Sequence, residues 1–140
     1  MNPTRKLLIV PALALALAGA GCGSSDDNAF VEDYNAATAP LAELTTSLGG
    51  SPSPDSLGKM ADGLDDVRTK LAALDAPDDA QDELDRMLVS LEKSTQQVRT
   101  LAKAVKSKDI EKLTAATQEF STTGTELVQA EEALRAAVEG

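Results

Sequence analysis

The segment DELDRMLVSLEKSTQQVRTLAKAV, residues 82–105, carries Leu84, Leu88, Leu91, Thr95, Val98, Ala102 and Val105 at alternating spacings of four and three. Residues three and four apart lie one turn above each other on a helix, so this pattern draws a single stripe along one face. Such a helix must bury its stripe against another element. The flanking sequence supplies the partners. Beyond a short turn at Ser107-Lys108-Asp109, a second stripe runs through Ile110, Leu113, Thr117, Phe120, Gly124, Leu127, Leu134 and Val138, less regular toward its end because Glu131 falls on it.

Working back from residue 82, Pro77-Asp78-Asp79 reads as a helix start, with proline in the first turn and acids near the positive end of the helix dipole. Before it, Leu57, Met60, Leu64, Val67, Leu71 and Leu74 form another stripe, in a helix that begins at Ser53-Pro54-Asp55 with serine as its cap. Gly58 and Gly63 weaken that helix by about 1 kcal/mol each relative to alanine. Gly49-Gly50-Ser51-Pro52-Ser53-Pro54 is the clearest linker of the chain. A fourth stripe precedes it: Phe30, Tyr34, Ala37, Leu41, Leu44 and Leu48. Pro40 interrupts this one, lacks the N–H for the carbonyl of Ala36, and predicts a kink or break near residues 36–40.

The expected fold is all-α: an antiparallel four-helix bundle with coiled-coil-like seams. Its third and fourth helices form a C-terminal hairpin ~45 Å long, partly covered by two helices nearer 30 Å. A three-helix bundle with a loose N-terminal segment is the alternative that Pro40 allows.

The N-terminus has a different character. Arg5 and Lys6 precede the apolar run Leu7 to Ala18, which is shorter than the ~20 residues that span a bilayer. Gly19-Ala20-Gly21 then leads into Cys22, the only cysteine. These residues resemble a bacterial lipoprotein precursor, with a lipobox of small residues before the cysteine, although Gly19 stands where that family most often has leucine. The resemblance covers the first two dozen residues. It implies that residues 1–21 are a cleaved signal peptide and that Cys22 carries a lipid anchoring the protein in the cell membrane or outer envelope. The other reading takes Ala18-Gly19-Ala20 as an ordinary cleavage site that releases a soluble secreted or periplasmic protein. Residues 22–28 read as a flexible tether and residues 29–140 as one helical domain.

Charge and composition narrow the partners. Losing residues 1–21 removes two of the 13 basic residues and none of the 23 acidic ones, so the net charge moves from −10 to −12. So acidic a surface repels nucleic acid and favours a cationic protein partner in the envelope. A lone cysteine forms no internal disulfide, and stability must come from packing. The sequence has no histidine, which removes the commonest general base and metal ligand, so no catalytic residue, cofactor or metal site is expected. Met60 and Met87 on apolar stripes read as core. The acids Asp75, Asp78, Asp79, Asp82, Glu83 and Asp85 read as a solvated, dipole-matched face.

One polar feature remains. With the hairpin turn centred near Lys108, Thr95 falls opposite Ser121, and Ser94-Thr95-Gln96-Gln97 meets Thr117 and Ser121 to Thr125. Thr95, Thr117, Phe120, Ser121 and Gly124 therefore line either a small pocket for a ligand or a polar layer that sets helix register. The expected function is a non-catalytic, membrane-anchored binding or spacer module. The alternative is a small-ligand carrier using that polar gap.

Overall fold

The computed structural model describes residues 25–47 and 52–139, and these are almost entirely helical. Four helices follow one another as α1 (Ser25–Ser47), α2 (Pro54–Leu71), α3 (Gln81–Ser107) and α4 (Ile110–Glu139). At 1.5 Å per residue the 27 residues of α3 and 30 of α4 reach about 40 and 45 Å, against about 35 and 27 Å for α1 and α2. The long C-terminal hairpin with two shorter helices beside it is thus present. Helices adjacent in sequence pack side by side: α1 on α2, α2 on α3 and α3 on α4.

The stripes meet in one core. Phe30, Tyr34, Ala37 and Leu41 of α1, Leu57, Met60, Leu64, Val67 and Leu71 of α2, and Leu84, Leu91 and Val98 of α3 are all buried. Met87, Leu127 and Leu134 join them. On α4 the apolar face is rotated from the expected stripe near its start. Ala116 is buried there, Leu113, Thr117 and Phe120 are half-buried, and Ile110 is 77% exposed because it opens the helix at the hairpin tip.

Ends and interruptions differ from expectation in physically readable ways. The N-terminal segment packs as a full helix, so the three-helix alternative does not apply. α1 passes Pro40 without a break. The carbonyl that proline leaves without a donor belongs to exposed Ala36, where water can take it. α1 also begins at Ser25, so Ser25-Asp26-Asp27-Asn28 of the expected tether are helical, in keeping with the preference of these residues for a helix's first turn. Pro77 to Ala80 form a turn closed by Ala80 N–H donating to the Pro77 carbonyl at 2.8 Å, and α3 starts only at Gln81. Ala80, fully buried, wedges that turn into the core. The signal segment, Cys22 and Leu48 lie outside the described residues.

The start of α2 is the best-formed end. Ser53 Oγ accepts from Ser56 N–H at 3.1 Å while Ser56 Oγ accepts from Ser53 N–H at 2.9 Å, a reciprocal capping box behind Pro54. Ser53→Ala is expected to cost about 1 kcal/mol in urea unfolding. The two α2 glycines behave differently. A Cβ on Gly58 meets nothing within 4 Å, whereas one on Gly63 collides with the Leu44 side chain of α1. Gly58→Ala should therefore stabilise by about 0.5–1 kcal/mol, and Gly63→Ala should fall clearly short of that gain in the same measurement.

Candidate functional site

Cys22 lies three residues before the first residue of α1 in the sequence. The remaining expected site residues fall on the α3–α4 hairpin, and its register decides which of them meet. Lys108 adopts the left-handed conformation (φ 55°) as the cap of α3, and Asp109 opens α4 by accepting Lys112 N–H at 3.2 Å. That bond, with the Lys112 ammonium beside it, holds the Asp109 carboxyl below its usual range. Across the hairpin Lys93 Nζ pairs with Glu126 at 3.3 Å. The pair brings Lys93 and Glu126 together, and Ser121, expected opposite Thr95, faces solvent.

Thr95 and Gly124 are buried, and Thr117 and Phe120 are half-buried. The buried small and polar residues of this stretch are Ser94 and Thr95 on α3 and Thr123 and Gly124 on α4. Its hydroxyls turn inward to their own helices. Ser94 donates to the Ser90 carbonyl (2.9 Å), Thr95 to Leu91 (3.0 Å), Thr117 to Leu113 (2.7 Å) and Thr123 to Glu119 (3.0 Å). These donors are committed to backbone carbonyls rather than aimed across the interface. One polar atom of the region is different: the side-chain oxygen of Gln97 is buried and has no hydrogen-bond partner among the described residues.

A second polar cluster escaped the sequence pattern except for the sign that Glu131 sits on a stripe. Tyr34 of α1 is fully buried and its hydroxyl donates to Met87 Sδ of α3 at 3.3 Å. Glu131 of α4 is 6% exposed and pairs with Arg135 at 3.5 Å. Burial pushes the Tyr34 phenol well above the usual tyrosine range, the Glu131 charge adds to this, and Arg135 opposes it. The cluster joins α1 to α3 electrostatically and sterically, with α4 close enough for its charges to be felt. A phenol so hard to ionise acts near neutral pH only as a neutral donor, which suits holding helices together.

Between α1 and α2 there is also an open groove of about 320 Å³, with Pro40, Leu44, Gly63 and Val67 as its apolar lining and Glu43, Asp66 and Lys70 around it. Gly63 helps create it by lacking a side chain. Among the described residues no three carboxylates or cysteines gather as a metal site, and no helix is long and apolar enough to cross a membrane. Compared with protein-family models, curated proteins and solved structures, the chain gives no match.

Proposed function

We propose that the protein is a lipid-anchored component of a bacterial cell envelope whose helical domain binds or spaces other envelope components without catalysis. The observation that carries this reading is the run Arg5-Lys6, apolar Leu7 to Ala18, Gly19-Ala20-Gly21 and then the sole cysteine, set three residues ahead of a helical domain. A signal segment ending on a thiol this close to the fold makes sense as an attachment point. The acidic surface favours a cationic envelope protein as partner, and the anchored chain is the form in which to seek it.

Intact-mass measurement on the membrane fraction tests the anchor. The wild-type chain should start at Cys22 with a lipid-sized increment, and Cys22→Ser should lose that increment and leave the membrane fraction. Cleavage after Ala20 with a free thiol would instead mean a released, soluble protein. A second reading, a carrier of a small ligand between α3 and α4, draws support from the unpartnered Gln97 oxygen. Native mass spectrometry tests it: a small molecule that co-purifies with the protein and is lost in Gln97→Leu would favour the carrier.

A further inference from the structure

Acids outnumber bases 23 to 13 in this chain, so every cation should find a carboxylate easily. Arg68, Arg86, Lys93, Arg99, Lys112 and Arg135 do, each within 4.0 Å. Lys59, Lys70, Lys103, Lys106 and Lys108 have no such partner among the described residues, and all five are exposed. Four of the five gather at the hairpin end of the bundle. The Arg99–Asp62 pair, at 3.7 Å, joins α3 to α2 near that end. Lys59 lies three residues before Asp62 and Lys103 four residues after Arg99, so they occupy the next turn of the same α2–α3 rim. Lys106 continues the row and Lys108 ends it at the turn.

The helix dipole accounts for Lys106 in the last turn and Lys108 at the cap of α3, but not for Lys59 or Lys103, which lie outside its reach. Yet α3 carries no acid after Glu92, while Asp82, Glu83, Asp85 and Glu92 crowd its first half. Arg99, Lys103 and Lys106, spaced four and three apart, repel one another on one face and cost helix stability. The acids nearest in level form no ion pair with the row. Asp62 is taken by Arg99 and Asp109 by Lys112, and neither Asp55 nor Glu111 pairs with any of the four lysines.

We propose that this rim, a local basic strip on a chain whose net charge of −10 disfavours anions elsewhere, binds a linear polyanion, a polymer strand carrying phosphates or carboxylates at regular intervals. Lys103 and Lys106, ~5–6 Å apart along one rigid helix, match a strand whose charges repeat at similar spacing, and Lys59 and Lys108 flank them. A protein partner would need a cluster of buried apolar anchors. Among the described residues the exposed large hydrophobic side chains are Val89 and Ile110, some 20 positions apart on different helices, and they form none. This binding does not depend on a lipid at Cys22.

The test is titration calorimetry of the full chain, with and without Cys22→Ser, against polyphosphate and polygalacturonate over a series of salt concentrations. Binding of either polymer should weaken with salt, with a log–log slope near −0.7 to −0.9 for each charge engaged. The double variant K103E/K106E should bind at least tenfold more weakly, with a slope shallower by about two. The charge-matched control K70E/R86E should stay within about twofold of wild type, and circular dichroism should be alike for all variants. Absence of binding at low salt, or an equal loss in both double variants, overturns the proposal. So does lysine-dependent binding to phosphatidylglycerol vesicles without binding to either polymer, which would make the rim a membrane contact.

Discussion

Leu91→Ala is expected to destabilise the domain by about 3–4 kcal/mol, measured as a fall in the urea midpoint by circular dichroism. Leu91 is fully buried on the central stripe of α3, the helix that packs against both α2 and α4. Truncating it removes the transfer free energy of the side chain and leaves a void the long hairpin cannot collapse around, the circumstance in which leucine deletions fall near 2.7–5 kcal/mol. Such a loss is a large share of the ~5–15 kcal/mol that holds a domain of this size. Val89→Ala, two residues away but 55% exposed, should change stability by no more than about 0.5 kcal/mol. Equal effects at the two sites would mean that α3 is rotated from the orientation described above.

The second large effect is an alkaline one. Tyr34 is the only tyrosine and the chain has no tryptophan, so the ultraviolet titration of the native protein reports this one phenol. Its ionisation is pushed well above the ordinary value of 10.0, first by burial and then by Glu131. The unfolded chain ionises near that ordinary value while the fold resists, so the stability the neutral phenol contributes is whole below pH ~10 and is lost as pH rises beyond it. The slope is about 1.4 kcal/mol per pH unit. Tyrosinate absorbance should therefore stay silent above pH 10 and then appear in step with loss of helix. Tyr34→Phe should flatten the alkaline fall in stability. A smooth titration of the folded protein centred near pH 10 would rule out the buried setting.

Much of this architecture could be read from spacing alone. The alternation of four and three turned Leu84, Leu91, Thr95 and Val98 inward as observed, but Leu88, Ala102 and Val105 are only half-buried while Met87, Ser94, Leu101 and Ala104 complete the buried face. Ser53-Pro54 marked the start of α2 because capping is a local matter of one hydroxyl and one missing N–H. What resisted reading was non-local. Pro40 breaks a bond in any helix, but whether the helix ends there depends on whether the orphaned carbonyl sits at the surface or in the core, and Ala36 is an exposed residue. The hairpin register depended on one residue of turn geometry at Lys108 and on a pair, Lys93 and Glu126, that no single-helix pattern reveals. Ser121 is therefore on the surface where the spacing had placed it at the interface, while Thr95 and Gly124 are buried. The Tyr34 cluster was hidden for the same reason, since its members sit on three helices.

The inward-turned hydroxyls of the α3–α4 layer have a consequence for how the hairpin is held. A threonine whose hydroxyl is closed on its own backbone presents only its methyl group to the next helix, so to its neighbour Thr95 is close to a valine. Chemically the layer is then greasy and smooth, a bearing surface more than a latch. Sliding is checked instead at the margin, by the tight left-handed turn at Lys108.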